Sequence, residues 1–591
     1  MTDDSSVSEL LMRPDLDTPG VSVNGVPLEQ TAGMGGAFEG ADRLGRELMS
    51  WSPRQGSADG VLSQRDKYLL DARGHDMLRN FGMLQNAEYI YKDSIVGNQY
   101  RLNSHPNARV LGLDDVWAEE FQQEVESKFM LWADAEENWV DAARKLNFTS
   151  MIRLAIGCDF AGGEVLATAE WLRGRDRPMA TCIQMIDPDR LSNPFDGMDT
   201  TTMRRGVEHD RNGAPIAAHI RMAHPRDVAN VGGDAFKWKR VPFRKPWGRA
   251  QVLHFLTQRR VAQTRGIADM VAALKEMRMT RSFNDITLQN AIVNASYAAA
   301  IESELPANMA FESIGATETG ANSLQTANLS LLQMIAQYSK GGRNLEIDGV
   351  KIPYLFPGTK LKMMPAGTVG GVGTTFEESL HRHISAGIGV SYEEFTHDYS
   401  KTNYSSSRAS ANKTRRHIMA RKRETADRMA NAVFALWLEE AISEGHIDAM
   451  KSIVARDPEF FYQPFHKQAL CRATWIGASV GQVDEMKETQ AAALRIKAGL
   501  STYEIECARL GYDFRDVFEQ RAREEKRVKT LGLSFDTAPV KQGTLSAERT
   551  DGNAAPANDA DDKEAAYQAG AIDQDGFDEN GNRPFDDGFG D

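Results

Sequence analysis

Two segments of this 591-residue chain carry residue types that are common at phosphate or metal sites. Residues 367–374 are rich in glycine, but a nucleotide-binding loop ends in Gly-Lys-Ser/Thr, and no lysine follows Gly373. This composition instead favours a flexible hinge before the next helix. His381 and His383 are two residues apart on a predicted helix, so their side chains point about 200° apart and cannot chelate one ion together.

A carboxylate pair and a serine cluster are the other candidates for chemistry. Asp187 and Asp189 flank a proline ahead of Arg-Leu-Ser-Asn-Pro, which favours a turn at a strand end. Ser405–Ser407 lie in no Gly-x-Ser-x-Gly pattern of the kind that presents a nucleophilic serine. The sequence therefore predicts no catalytic residue, no cofactor and no metal site, and we expect a protein that is not an enzyme. We interpret His209, His224 and His254 as isolated residues on predicted strands. The four cysteines are interpreted as reduced thiols: Cys158, Cys182, Cys471 and Cys507.

Acidic residues are concentrated at the C-terminal end of the chain. The formal net charge is −14 at pH 7, and residues 551–591 contribute −10 through ten Asp and two Glu against one Lys and one Arg. With so little apolar surface to bury, this tail is predicted to be disordered. The whole chain is 41% hydrophobic and 26% charged, which is typical of a soluble globular protein. Neither an apolar run of membrane-spanning length nor a secretory signal is predicted.

Hydrophobic periodicity predicts an α+β chain that is mainly helical. The clearest helix spans 114–134, where apolar residues from Trp117 to Trp132 recur at steps of three or four and form one face. Between 163 and 256, short β-rich segments separated by turn residues predict a small antiparallel sheet unit. Further predictions are a tight turn at Asp210–Gly213, two short strands around Pro353 and Pro357, and helices over 64–97, 266–300, 376–388, 404–442 and 484–530.

The most informative segment is 388–410, which joins a glycine-punctuated apolar end to a basic helix through about a dozen polar residues. Asn403, Ser405 and Ser406 are typical helix-capping residues and indicate that the next helix begins there. The basic run 412–428 would spread its charges around more than half of that helix, whereas a DNA-reading helix concentrates them on one face. Contact with DNA phosphates and salt bridges to neighbouring subunits both remain open for its cations, Lys413, Arg415, Arg416, Arg421, Lys422, Arg423 and Arg428.

The 388–410 segment resembles the signature of the lambda-type bacteriophage portal protein family, in which a Gly-Val-Pro/Ser-Tyr-Glu turn precedes Asn-Tyr-Ser-Ser-x-Arg-Ala. Ser391 stands where many relatives have proline, and serine should loosen that turn without removing it. Other motifs follow in family order between Trp51 and Leu531. They include Trp51-Ser-Pro53, Ile186–Leu191, Gln263–Gly266 and Gly499–Glu504.

The resemblance implies a portal-like subunit with a wing, a stem of paired helices, a clip that faces the packaging motor, and a helical crown. Such subunits form rings, usually of about twelve copies, whose head-to-tail contacts close. On this sequence it implies a flexible N-terminal arm (1–60), a wing with a small β unit (61–265), a stem helix (266–300), a clip (301–375), a second stem helix with a tunnel loop (376–410), a long wing helix with the following segment (411–483), a crown (484–535) and a disordered acidic tail (536–591).

The implied function is that of a portal: a channel at the capsid vertex for genome packaging and ejection. It would be the attachment site for terminase and then for head–tail connector proteins. Implied partners are further copies of the chain in a homododecamer, double-stranded DNA, the terminase large subunit, and capsid, scaffold and head-completion proteins, with no membrane. The implied location is the virion, and the host cytoplasm during assembly. The residues expected to line the DNA channel are Ser391, Tyr392, Thr396, Lys401, Asn403, Tyr404, Ser405, Ser406 and Arg408.

Two alternative functions are a soluble DNA-binding adaptor that uses the 412–428 run and an enzyme of DNA metabolism. The enzyme would need a carboxylate cluster for two metal ions or a Walker lysine, and neither pattern is identified. Tight DNA binding comes from neutralised phosphates and released counterions, so the acidic composition favours a conduit that lets DNA slide.

Overall fold

The computed structural model divides the chain into two units, residues 1–517 and residues 518–591. The core and the candidate site lie in the first unit. The predicted acidic tail, and most of the predicted arm and clip, fall outside the described residues. The structure describes residues 50–296 apart from 175, 228, 230 and 231, residues 372–479 and 485–533, and the short stretches 22–23, 26–27, 333, 345–347 and 350–352.

Helices make up most of the described residues, as the hydrophobic periodicity predicts. They are α1 (Ala58–Val61), α2 (Gln64–Asn80), α3 (Gly82–Ile95), α4 (Ala108–Leu111), α5 (Asp115–Ala133), α6 (Phe148–Gly162), α7 (Leu274–Ser296), α8 (Val372–Ile388), α9 (Tyr392–Thr396), α10 (Tyr404–Arg421), α11 (Asp427–Ser443), α12 (Asp448–Arg456), α13 (His466–Leu470), α14 (Glu485–Lys497), α15 (Tyr503–Arg509) and α16 (Phe514–Leu531).

The strands form small antiparallel sheets rather than one sheet unit. The segment between 163 and 256 contains a three-stranded sheet of order β10-β4-β5 and a four-stranded meander of order β6-β7-β8-β9. The predicted turn between β7 and β8 is confirmed, with Gly213 at φ +86°. The strands are β1 (Ser22–Val23), β2 (Val26–Pro27), β3 (Arg101–Ser104), β4 (Glu164–Trp171), β5 (Thr181–Ile186), β6 (Met203–Arg204), β7 (Val207–His209), β8 (Pro215–Arg221), β9 (Trp238–Pro242), β10 (Val252–Leu256), β11 (Leu345–Ile347), β12 (Val350–Ile352) and β13 (Ala473–Ile476).

An aromatic cluster forms the centre of the main core. Phe129, on the predicted stripe of α5, is fully buried and contacts the rings of Phe148, Phe434, Trp437 and Trp475 at centroid distances of 5.3 to 5.8 Å. Buried aromatic side chains contribute large apolar areas, and edge-to-face pairs such as these add a further attraction. The stripe on α5 thus joins α6, α11 and β13 in one core.

The predicted long helix over 404–442 is confirmed as α10 and α11, joined by a π-helical turn at Lys422–Ala426. A π-turn accommodates one more residue than an α-helical turn. The Thr425 hydroxyl in this turn donates a hydrogen bond to Asp159 Oδ2 at 2.8 Å. The turn therefore fixes the middle of the long helix against α6.

Several predicted boundaries were wrong. The helix predicted over 266–300 begins at Leu274, after a 3₁₀ turn over Asp269–Ala273. α8 begins at Val372, so residues 372–374 of the predicted glycine hinge are helical. The hairpin β11–β12 precedes Pro353, and the part of the prediction that concerns Pro353 and Pro357 lies outside the described residues. None of the helices in the described ranges combines the length and hydrophobicity needed to span a bilayer.

Candidate functional site

The segment between α8 and α10 contains a short helix, so the prediction of a continuous polar loop there was wrong. Ser391 caps α9: its Oγ accepts a hydrogen bond from the Glu394 backbone N–H at 3.3 Å and donates one to Glu394 Oε2 at 2.7 Å. A serine followed three residues later by glutamate is a known helix-start pattern, and Ser-Tyr-Glu-Glu fits it. The helix buries Phe395 completely.

Two side chains of α3 donate hydrogen bonds to backbone carbonyls near the C-terminal ends of α8 and α9. Asn86 Nδ2 donates hydrogen bonds to Glu394 O at 2.9 Å and to Phe395 O at 3.3 Å. The Tyr91 hydroxyl donates to Ile388 O at 2.8 Å. Since the last carbonyls of a helix have no partner within it, these bonds satisfy groups that would otherwise need water. Residues 388–395 are therefore part of the core region.

Gly389 forms the turn that brings α8 and α10 together. Its φ is +86°, and a Cβ at this position would lie 2.5 Å from Nε2 of His417 on α10. The Ser391 backbone N–H then donates to Thr414 Oγ1, also on α10, at 3.1 Å. Glycine is required because both the left-handed backbone and the space exclude a side chain.

The tip of the segment is Asp398–Lys401, in which Asp398 is half-buried and the other three residues are exposed. Lys401 Nζ lies 2.5 Å from Glu378 Oε1 on α8, and this hydrogen bond raises the Lys401 pKa. The Tyr399 ring is half exposed, and Asp398 Oδ1 accepts hydrogen bonds from the backbone and the hydroxyl of Ser400. The tip therefore presents hydroxyl groups and a neutralised ion pair to solvent.

The predicted start of the long helix is confirmed. Asn403 Oδ1 accepts from the Ser406 backbone N–H at 2.8 Å, and Ser406 Oγ accepts from the Asn403 backbone N–H at 3.1 Å. This reciprocal pair caps α10. The predicted channel residues are thus close along the chain but differ in exposure. Ser391, Tyr392 and Thr396 are half-buried, Lys401, Asn403, Ser405, Ser406 and Arg408 are exposed, and the side chain of Tyr404 lies outside the described part of the chain.

Three cations of the 412–428 run contact groups of their own chain. Arg421 pairs with Asp269 and donates to Thr257 Oγ1 at 3.0 Å. Lys422 Nζ lies 3.0 Å from Asp427 Oδ1 and donates to a backbone carbonyl of β13 at 2.9 Å. Arg428 lies over the Phe255 ring, 5.0 Å from its centroid.

A buried charge network that sequence reasoning missed lies at the start of the 266–300 segment. Glu164 is fully buried and accepts from Arg265 Nε at 2.9 Å and Nη2 at 2.7 Å, while His254 Nε2 lies 3.0 Å away. Burial would raise the Glu164 pKa, but Arg265 and Lys67 outweigh it and hold that pKa well below its usual range. The partners are too distant in sequence for a local pattern; the Gln263–Gly266 motif was the available signal. His254 was wrongly interpreted as isolated.

Asp187, Asp189 and His224 bring ligand atoms within 4.8 Å of one another, but their hydrogen bonds favour structural roles. Asp187 Oδ1 accepts from the Asp189 backbone N–H at 3.0 Å, which confirms the predicted turn. His224 Nδ1 accepts from the Arg226 backbone N–H at 3.1 Å, so a neutral ring carries its proton on Nε2, the nitrogen 3.5 Å from Asp189. A metal ion would have to displace that proton. His224, interpreted as isolated, therefore has a partner.

A family model described as phage portal protein, lambda family, matches residues 44–422. This chain belongs to the lambda family of phage portal proteins. The portal protein of Escherichia phage N15 is 35% identical over 500 residues, which are 84% of this chain and 91% of that protein. Portal protein B of Escherichia phage lambda is 33% identical over 528 residues, which are 88% of this chain and 96% of that protein.

The match to the portal family includes the whole candidate segment and ends at Lys422, the first residue of the π-turn. Among solved structures, the neck of an empty gene transfer agent particle covers 74% of this chain and 93% of the matched chain. That likeness has 11% identity and a TM-score of 0.33, which is too low to support an argument.

Proposed function

We propose that copies of this chain assemble into a portal ring at one vertex of a phage capsid, through which double-stranded DNA enters and leaves. The observation that carries the proposal is the similarity to two portal proteins over 91% and 96% of their lengths. Such a match leaves little of either relative without a counterpart here. The ring would contain about twelve subunits in a closed head-to-tail arrangement.

The tip Asp398–Lys401 would line the passage, together with the exposed residues Asn403, Ser405 and Ser406 that follow it. Support comes from its chemistry: it is polar and exposed, and its lysine is paired with Glu378 at 2.5 Å. DNA is held when cations neutralise its phosphates and release counterions, so a surface without an unpaired cation favours sliding over capture. Of the half-buried residues, Ser391 would position the tip rather than touch DNA, because it caps α9.

The partners of such a ring follow from its place in the particle. The terminase large subunit would dock on it during packaging, and head-completion and connector proteins would replace terminase afterwards. Capsid and scaffold proteins would surround the ring as the shell assembles in the host cytoplasm.

The mass of the purified full-length protein tests this proposal, with imaging of the same sample. We expect a ring of about twelve chains with an opening wide enough for a DNA duplex. Isolated single chains, or an opening narrower than a duplex in every conformer, would contradict it. Single chains that bind DNA with strong salt dependence would instead support the adaptor.

A further inference from the structure

A cleft of about 720 Å³ opens between α10 and the helices α14 and α15. Arg408, Asn412 and Arg415 line it from α10. Their spacings of four and three residues place them on one helical face. The opposite wall contributes three further cations, Lys487, Arg495 and Arg509.

Positive charge exceeds negative charge among the residues that line the cleft. Five are cationic, and two, Glu488 and Glu506, are acidic. Glu506 accepts hydrogen bonds from Arg495 at 2.9 and 3.0 Å, and those bonds lower its pKa to about 2. This low pKa keeps Glu506 ionised at neutral pH, and the formal charges of the lining residues sum to three positive charges.

Arg415 is the cation best placed to bind a ligand. It is half-buried, and within the described ranges its guanidinium has neither a hydrogen-bond acceptor nor a carboxylate within ion-pair distance. Burial lowers the Arg415 pKa, and the nearby Arg509 lowers it further. A guanidinium in this position gains from a bidentate oxyanion, and it would be repelled by a further cation.

We infer that this cleft binds phosphate groups of double-stranded DNA, with Arg415 as the principal contact and Arg408 and Arg509 beside it. The inference rests on the proposed function, because DNA must reach the ring. A duplex carries about one charge per 1.7 Å of its axis, so several phosphates can face a cleft of this size. A protein carboxylate would offset only one of the three surplus charges. The two acids keep the attraction modest, which suits transient contact.

The test compares Arg415→Ala with Arg416→Ala in the full-length protein, using a short fluorescent DNA duplex titrated over a series of salt concentrations. Arg416 is the matched control because it is exposed, carries the same charge, lies outside the cleft and points about 100° away around the helix. We expect Arg415→Ala to reduce the slope of log K against log salt by about 0.9 for each phosphate that the variant no longer binds. Arg416→Ala should leave the slope unchanged, and Arg415→Lys should restore most of it.

A second arm replaces chloride with inorganic phosphate at equal ionic strength. Phosphate should weaken duplex binding by the unmodified protein more than binding by Arg415→Ala. Equal weakening, equal slopes for Arg415→Ala and the unmodified protein, or equal slope reductions for both alanine variants would overturn the inference. If Arg415→Ala leaves the slope unchanged and dissociates the ring, the cleft holds a carboxylate of a neighbouring copy and the inference is wrong.

The mass of the same samples keeps the two proposals separable. If rings form but their duplex binding does not depend on Arg415, the inference about the cleft is wrong and the proposed portal function stands. If single chains show the Arg415-dependent slope, the inference about the cleft stands and the proposed portal ring is wrong.

Discussion

Gly389 is a residue at which two independent constraints act. Its backbone is left-handed, and His417 occupies the space beside it, where the ring also contacts Tyr91 with centroids 6.3 Å apart. Gly112 has a similar φ of +70°, but no atom lies within 4 Å of the position that a Cβ would occupy. Alanine substitutions at Gly112 and Gly389 therefore separate the free-energy cost of the left-handed backbone from the additional cost of the clash with His417.

We predict that Gly112→Ala destabilises the fold by about 1–2 kcal/mol, because an L side chain disfavours this conformation. Gly389→Ala should cost more, since His417 must also move. The thermal unfolding midpoints of both variants, measured under one set of conditions, test this. Equal midpoints would mean that the His417 contact contributes nothing.

Asp71 should make the stability of the fold depend on pH. Burial raises the Asp71 pKa to about 7, while Lys67 lies 2.9 Å from Asp71 and also pairs with Glu164, which Arg265 and His254 contact. Between the ordinary carboxyl pKa of about 4 and about 7, the folded state holds a proton that the unfolded state has released. The stability contribution of Asp71 therefore decreases as pH rises through this window and is constant above it.

Asp71→Asn imitates the protonated form, so we predict that it stabilises the protein relative to the unmodified chain at pH 8. That advantage should shrink towards pH 5. Chemical denaturation at several pH values measures the difference. Glu126, whose pKa burial also raises to about 7, affects both proteins alike and cancels in the comparison. If the advantage of Asp71→Asn instead grows as pH falls, the predicted direction of the pH dependence is wrong.

At the scale of elements, helix α9 divides the 389–403 segment into an anchored half and an exposed half. Phe395 is buried and Asn86 binds the last carbonyls of the helix, whereas Asp398–Lys401 has its backbone at the surface. Changes in the two halves should therefore have different effects. We expect changes in the anchored half to affect folding, and changes in the exposed half to affect the proposed passage of DNA through the ring.

We predict that replacing Asp398–Lys401 with Gly-Ser-Gly-Ser leaves ring assembly intact and reduces the amount of DNA packaged. The reason is that the tip contributes no core contact and would face the passage. DNA retained in filled heads after nuclease treatment measures the effect. A Gly-Ser replacement of Arg211 and Asn212 in the exposed β7–β8 turn serves as the control and should package normally. Normal packaging by the variant with the altered tip would contradict the proposal that the tip lines the DNA passage.

Local signals explain which elements could be predicted from the sequence. The start of α10 was predictable because Asn403 and Ser406 lie within one turn of each other, and α5 because its apolar stripe repeats over about four turns. Helix α9 carried an equally local signal, Ser391 with Glu394, which its polar surroundings obscured. The basic cleft could not be predicted, because Arg415 and Arg509 are distant in sequence and come near each other only in the folded chain.

At the scale of the whole molecule, charge is divided unequally between the ends of the chain. Residues 551–591 carry −10 of the formal charge of −14. Repulsion from such a segment acts over the Debye length, which is about 8 Å at 0.15 M salt and about 30 Å at 0.01 M. Its influence on DNA should therefore depend strongly on ionic strength.

We predict that deleting residues 551–591 strengthens duplex binding by the assembled protein at 0.01 M salt and has little effect at 0.15 M, because salt screens the repulsion. The unfolding midpoint of the rest of the chain should not change. Equilibrium binding at the two salt concentrations measures the effect. A variant that replaces the acidic residues of this segment with their amides should behave like the deletion. If only the deletion strengthens duplex binding, the length of the segment rather than its charge weakens binding in the full-length protein.

The π-turn at Lys422–Ala426 allows the two halves of the long helix to evolve separately. The register of α11 is set by aromatic packing, with Phe434 and Trp437 against Phe129, while that of α10 is set by Gly389 and Thr414 near its middle. A wide turn is the usual product of a one-residue insertion in a helix. A lineage could therefore gain or lose one residue there while α10 keeps its contacts with Gly389 and Ser391 and α11 keeps its aromatic packing, because the turn absorbs the difference.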